Sequence, residues 1–331
     1  MSTPVLSLII PNYNHKDGLP RLLDSLLRQK ELSFETIIVD DCSDSPCDDL
    51  VEAYAGKGLD LRVIYHQERR FTKNARITGM QAARGRVIGF VDADDWLLGT
   101  DILAAHVERM EREQADILHF RSLVTDEAEQ FRRYADVLDP FADRLTGRDI
   151  FQSFLDAGAV KDGATVWNKL YAKSLCDGIC PVASPSKALL HVEDLYLTSL
   201  FMMHATTYVR SDLVGYAYRY VKKDRSNGMA RALCTLQMRK EVVPYMRGQG
   251  WPEATVVQFA RQLDHYLNIC VGRFCLALES TDDGDIPDAV VEEISALGGA
   301  DALLKAFLLS SRISAKKIVH SISTLQRYPA F

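Results

Sequence analysis

No apolar run in this 331-residue chain reaches the roughly 18 residues needed to cross a bilayer, so the sequence predicts no transmembrane helix. The opening MSTPVLSLIIPNYN has no basic stretch before its short apolar run and does not read as a secretory signal. No Cys-x-x-Cys pair occurs among the seven cysteines, which stand apart at 42, 47, 176, 180, 234, 270 and 275. An odd, scattered set argues against a disulfide framework or zinc knuckle and fits small buried hydrophobes in a reduced, cytoplasmic chain. Positive charge is not in excess: 39 Lys+Arg against 45 Asp+Glu leave a net -6. That balance argues against a general polyanion binder, and no nucleic-acid partner is expected. Several catalytic signatures are missing too. There is no Gly-x-Gly-x-x-Gly after the first predicted strand and no Gly-x-x-x-x-Gly-Lys-Ser/Thr, which argues against nicotinamide dehydrogenases and P-loop NTPases. Neither His-Glu-x-x-His nor Gly-x-Ser-x-Gly occurs.

What is present is an ordinary globular composition, 47% hydrophobic and 25% charged, long enough for about two domains. Short apolar runs at Val5–Ile10, Phe34–Val39, Leu61–Tyr65, Val87–Val91 and Ile117–Phe120 predict buried strands, the first stopped by Pro11. Between them lie helical patterns: Leu19, Leu22, Leu23, Leu26 and Leu27; a start at Ser45-Pro46-Cys47-Asp48; Thr72–Ala83 closed by Gly85; and Ile102–Glu113. Repeated β-α-β with continuous apolar strands predicts an α/β fold, a mostly parallel sheet with helices on both faces. From about 120 the alternation becomes irregular, with a helix near Asp194–Met203 and β-rich Tyr208–Tyr220. After about Asn227 the pattern is helical through Leu325, broken by the acidic turn at Asp282, Asp283 and Asp285. The expected organisation is a catalytic part over 1–225, divided into 1–95 and 96–225, followed by a helical region over 226–331.

In an open parallel sheet, ligands bind beyond the carboxyl ends of the strands. The first strand is followed by Pro11-Asn12-Tyr13-Asn14, the second by Asp40-Asp41-Cys42-Ser43, the fourth by Asp92-Ala93-Asp94-Asp95. Carboxylates gathered on one edge repel one another unless a cation or a donor-rich ligand lies between them. Asp44 and Asp48 read as turn or cap residues. Asp92 and Asp94 do not begin a helix, and Asp-x-Asp suits a hard ion such as Mg²⁺, which binds through one or two carboxylates plus substrate phosphates. A diphosphate held without a glycine-rich cradle points to a nucleotide-diphosphate donor.

Taken together, Val5–Asn14, Ile38–Ser43, Ala75-Arg76 with Gly79, and Phe90–Asp95 resemble the family 2 glycosyltransferases of GT-A (Rossmann-like) fold. Val166–Tyr171, Glu193-Asp194, and Tyr216-x-Tyr218-Arg219 with Ser226 look like segments of the bacterial members that build surface polysaccharides. The resemblance covers roughly residues 4–226. It implies that Pro11, Tyr13, Asn14, Asp41, Arg76, Asp92 and Ala93 line the nucleotide-sugar site, with Asp41 at the base and Asp92 near ribose and sugar. It implies Asp94 as the ligand of Mn²⁺ or Mg²⁺, and Asp194 as general base with Glu193 as fallback. Trp167 and Lys169 are candidates for the acceptor side, against core packing for the first and an ion-paired or solvated role for the second. His191 reads as a neighbour. The family's Asn-x-Gly before Ala-Arg-Asn is replaced here: those positions hold Arg69, Phe71 and Ile77. Arg69, Arg70 or Lys73 are the candidates to reach a phosphate in compensation, or else a solvated basic turn.

The expected reaction is inverting, metal-dependent transfer from a nucleotide-diphosphate sugar, UDP-linked in the expectation, to a glycan or lipid-linked acceptor hydroxyl. Rival readings are a nucleotidyltransferase making such sugars and a degenerate carbohydrate-binding or scaffolding relative. Finally, Lys305, Arg312, Lys316, His320 and Arg327 share one helical face beside an apolar one. A basic amphipathic helix there predicts peripheral docking on an anionic membrane surface, against simple packing on the catalytic part.

Overall fold

The structure is a computed structural model that describes residues 3–125, 131–132, 141–158, 164–183, 189, 191–220 and 228–279. It forms two compact units: Met1–Pro185 with Asp194–Val221, and Ser186–Glu193 with Lys222–Phe331. The chain therefore changes unit after Val221, and a short segment before Asp194 groups with the C-terminal unit.

The first unit is built on one mixed sheet. Strands β1 (Leu6–Asn12), β2 (Phe34–Asp40), β3 (Leu61–Tyr65) and β4 (Val87–Phe90) run parallel in the order β3-β2-β1-β4. Leu6, Ile9, Ile10, Ile37, Ile38 and Val39 are wholly buried, which is why these strands read as unbroken apolar runs. The helices between them are α1 (Leu19–Leu27), α2 (Asp48–Ala55) and α3 (Phe71–Ala82), with α4 (Ile102–Arg112) following the short β5 (Trp96–Leu97). Helix α1 places Leu19, Leu22, Leu23 and Leu26 in the core at helical spacing. Helix α3 lies close on β1 because residue 79 is glycine: a Cβ there would stand 2.3 Å from Ile9 Cγ2.

Two local expectations need correction. Strand β1 does not stop before Pro11 but runs to Asn12, with Pro11 opposite Val39. Its pairing with β4 ends at Ile9 opposite Phe90, where the Val91 N–H donates to the Ile9 carbonyl. Pro11 has no N–H to continue that ladder, so the pairing of β1 with β4 ends there. Helix α2 starts at Asp48 with Cys47 as N-cap, not at Ser45; no side chain caps it.

The second half of the sheet was less legible. Strand β6 (Ile117–Thr125) runs parallel to β10 (Thr207–Arg219), and β9 (Lys169–Ala172) lies between β4 and β6, antiparallel to both. Strands β5 and β8 (Arg144–Thr146) pair antiparallel with β10, and β7 (Phe131–Arg132) with β6. Helices α5 (Asp149–Asp156), α6 (Lys173–Ile179) and α7 (Glu193–His204) complete the described helices before Val221. Strand β9 escapes a reading by periodicity because four residues carry no period.

The C-terminal unit contains α8 (Gly228–Gly248) and α9 (Glu253–Glu279). Val256, Phe259, Leu263, Leu267 and Cys270 form the buried stripe of α9, as its helical pattern requires. The acidic turn at 282–285, Cys275's side chain and the basic face of 301–331 lie outside the described residues. Among the described residues, no helix is long and apolar enough to cross a membrane. The six described cysteines are free thiols; Cys47, Cys176, Cys234 and Cys270 are buried, whereas Cys42 is exposed.

Candidate active site

Beyond the last paired residues of β1 and β4 the chain continues through Asn12–Asn14 on the first and Asp92–Asp95 on the second. The acidic loop is fastened from β10. Tyr216 donates its hydroxyl proton to Asp95 Oδ2 at 2.6 Å and accepts from the Asp92 N–H at 3.0 Å. The Arg219 N–H donates to Asp95 Oδ1 at 2.8 Å. The third aspartate is therefore a buried anchor that sets Asp92 and Asp94 in place. Burial, with Asp92 and Asp94 adding, holds the Asp95 carboxyl well above the usual carboxylate range. Asp94 is raised for the same reasons, burial first and Asp92 second, while His15 and Arg219 pull the other way. One or two carboxylates suffice for Mg²⁺ or Mn²⁺ when phosphates complete the shell, so the loop fits such an ion through Asp94. The Tyr216→Phe variant leaves a buried carboxylate oxygen and the Asp92 N–H short of a partner. We expect it to lose about 1–3 kcal/mol per orphaned group, read as a lower midpoint in urea unfolding. An unchanged midpoint would show that the fastening is not made.

Opposite this loop stands the N-terminus of α3. Arg70 N–H donates to Asp41 Oδ1 at 2.7 Å and Phe71 N–H to Asp41 Oδ2 at 2.6 Å; His66 Nδ1 meets Oδ1 at 2.7 Å. Asp41, 3% exposed, thus caps α3 from a distant part of the chain. Phe71 has φ +65°, the left-handed region where glycine is at ease. That is the position at which the resembling family carries glycine. The Asp41 bond to Phe71 N–H and the Arg69 guanidinium over the Phe71 ring, 4.6 Å from its centroid, help hold the conformation. Arg69 also covers the exposed ring of Tyr13 at 4.1 Å. Asn14 donates to Asp44 at 2.9 Å, and Asn12 donates to the buried Asp40 at 2.7 Å. Lys73 is not a solvated turn residue: it is buried, its ammonium 5.6 Å from the Tyr196 ring centroid.

Arg76, one turn before Gly79 on α3, is 2% exposed and carries the central contact of the site. One amino group donates to Asp92 Oδ1 at 2.8 Å and the other to Asp194 Oδ1. The structure thus brings together Asp92, Arg76 and Asp194, and Asp194 stands at the start of α7. Val192, two residues earlier, has φ +61°, strained for a β-branched residue. Glu193 interacts electrostatically with Arg231 of α8.

The two acceptor candidates are placed inward. Trp167, 3% exposed, stacks on Tyr216 and Tyr218 at 4.6 and 5.0 Å between centroids. Lys169 is 1% exposed, and burial pulls its ammonium down to about 7 against the opposing effect of Asp194. Sequence reasoning gave no individual role to Tyr216, Arg219 or Asn168, each named only within a longer motif, and passed over His119.

A sequence model described as Glycosyl transferase family 2 matches residues 7–165. Over 248 residues the chain is 30% identical to the Bacillus subtilis (strain 168) protein named as glycosyltransferase EpsH, covering 70% of this chain and 67% of that one. The chain belongs to glycosyl transferase family 2. EpsJ of the same organism is 38% identical over 115 residues, 35% of this glycosyltransferase and 33% of EpsJ. Among solved structures, S. aureus TarS 1-349 in complex with UDP-GlcNAc superposes with TM-score 0.61 at 19% identity, covering 98% of this chain and 91% of that one. The Pyrobaculum calidifontis mannosyltransferase PcManGT with GDP-Man and Mn²⁺ gives 0.51 at 15%, covering 98% and 86%. At such identities the likeness shows the GT-A fold of the glycosyltransferase alone.

Proposed function

We propose that this glycosyltransferase inverts the anomeric centre of a UDP-linked sugar as it moves it to a hydroxyl of a glycan or lipid-linked acceptor in surface-polysaccharide synthesis. The observation that carries this reading is the Arg76 bridge, which sets Asp194 beside the Asp92–Asp95 loop. A base must face the leaving group across the sugar, and one guanidinium spans the two carboxylates that such a sugar would separate. Solved relatives of this fold hold UDP, UDP-GlcNAc, or GDP-Man with Mn²⁺, which supports a nucleotide-sugar donor and a divalent ion.

In this reading Asp94 would hold a divalent ion, which when bound would supply positive charge to offset that of the departing diphosphate. Tyr13, backed by Arg69, and Asn14 border the nucleoside side with Pro11 and Ala93. Asp41 acts there through the helix it caps. Arg219, whose buried Nε has no hydrogen-bond partner among the described residues and whose charge acts on Asp94, is the cation this reading assigns to a phosphate. Asp194 takes the proton of the acceptor hydroxyl as the new bond forms. Arg76 orients Asp194 until the sugar enters between it and Asp92. The test is nucleotide release from a panel of UDP- and GDP-sugars with Mn²⁺ or Mg²⁺. We expect release from a UDP-sugar that stops with EDTA. Release untouched by EDTA, or none from any donor, would contradict the proposal.

A further inference from the structure

Lys169 on β9 is a buried ammonium, and among the described residues no carboxylate is hydrogen-bonded to it. Its Nζ donates to the Thr165 carbonyl and to Asn168 Oδ1, both at 2.6 Å. Thr165 Oγ1 donates to the same Asn168 oxygen at 2.7 Å. Asn168 Nδ2 donates to His119 Nε2 at 2.9 Å, which leaves the His119 proton on Nδ1. That nitrogen meets Tyr208 Oη at 2.8 Å. Lys169, Asn168, His119 and Tyr208 are each no more than 2% exposed. Burying a cation and three polar side chains is costly unless every member is paired, so such a string fixes its members in one arrangement. Its oxygens are neutral. The Thr165 carbonyl that takes the ammonium also accepts from Thr198 Oγ1 at 3.3 Å, one turn after Asp194 on α7, and among the described residues Asp194 is the carboxylate whose charge favours the ammonium.

We propose that Lys169 is a positioning residue for Asp194: its ammonium, locked by Asn168 and Thr165 and braced by His119 and Tyr208, holds the charge and orientation of the base together with Arg76. This rests on Asp194 being the base, as argued above. It also separates Lys169 from the acceptor, since a side chain 1% exposed has no face to offer one. Arg76 meets Asp194 from α3, Lys169 and Tyr171 act on it from β9, and Tyr218 from β10; Asp92 shares Arg76, and Lys73 lies on the same helix as Arg76.

Lys169→Met keeps the stem and removes the charge. Losing a neighbouring cation disfavours the ionised carboxylate, so the acidic limb of the kcat profile moves to higher pH. We expect that shift, a fall in kcat of about tenfold or more, and a donor KM within about twofold. His119→Leu, which breaks the string away from the substrates, shifts the limb in the same direction. His119→Gln, which keeps an acceptor for Asn168 and a donor for Tyr208, restores it. In urea unfolding of Lys169→Met, Asp194→Asn and the double variant, the effects depart from additivity by about fivefold or more in the unfolding constant. That cycle needs no substrate. Additive effects, or an unmoved limb with kcat near the parent's, would overturn the proposal. If the parent releases no nucleotide from any sugar donor, the transfer reading fails, and the unfolding cycle still decides whether Lys169 and Asp194 are coupled.

Discussion

If Asp194 is the base proposed above, we expect its replacement with Asn to lower kcat by about 10²–10⁴-fold, the usual contribution of such a group. Affinity for UDP with Mn²⁺ stays within about twofold, because the lost interaction matters only as the hydroxyl proton leaves. The amide still offers an oxygen to Arg76, so the geometry around α3 is kept while the basicity is removed. Single-turnover rates and a UDP titration read the two effects separately. Glu193→Gln provides the comparison. Glu193 interacts with Arg231, whereas Asp194 is held beside Asp92 by a shared guanidinium. Near-normal transfer by Asp194→Asn together with a slow Glu193→Gln would move the base one residue back.

On the proposed metal role, we expect Asp94→Asn to abolish the part of UDP affinity that Mn²⁺ supplies. Loss of a mere outer-shell partner weakens metal binding by roughly 10–100-fold, and loss of the ligand's own charge exceeds that. The pH dependence follows in sign. Burial and the charge of Asp92 raise the Asp94 carboxyl, so proton and metal compete from above the ordinary carboxylate range of about 3.9. We therefore expect metal-dependent UDP binding to be full at neutral pH and to fall as the pH drops towards that raised value. Titration of UDP with and without Mn²⁺, at several pH values, checks both statements. A variant that binds Mn²⁺ and UDP as the parent does removes Asp94 as ligand.

These expectations show how unevenly the site is written in the chain. Asp92 and Asp94 stand out because a buried strand, Val87–Phe90, delivers them to its carboxyl end. Phe71 is instructive in the other direction. As a letter it is only a departure from a familiar pattern. Its φ of +65° shows that the backbone there keeps the conformation glycine would favour, with Asp41 bonding the amide. Trp167 looks from sequence like a platform for a sugar ring, but it is spent on stacking against Tyr216 and Tyr218, the first of which fastens the acidic loop.

The sequence by itself determined the order of strands and helices through the first four strands, the helical pattern that α9 follows, and the position of the acidic loop. Each of those rests on residues within a few positions of one another: apolar runs, helical spacing, and proline or glycine as punctuation. Only the tertiary structure decided the insertion of β9 between β4 and β6, the Arg76 bridge and the string from Lys169 to Tyr208. Arg76 meets a carboxylate 118 positions away, and His119 meets partners 49 and 89 positions away. No local period encodes such pairings. They form because sheet order and the close approach of α3 at Gly79 bring distant polar groups together, and burial then obliges those groups to satisfy one another.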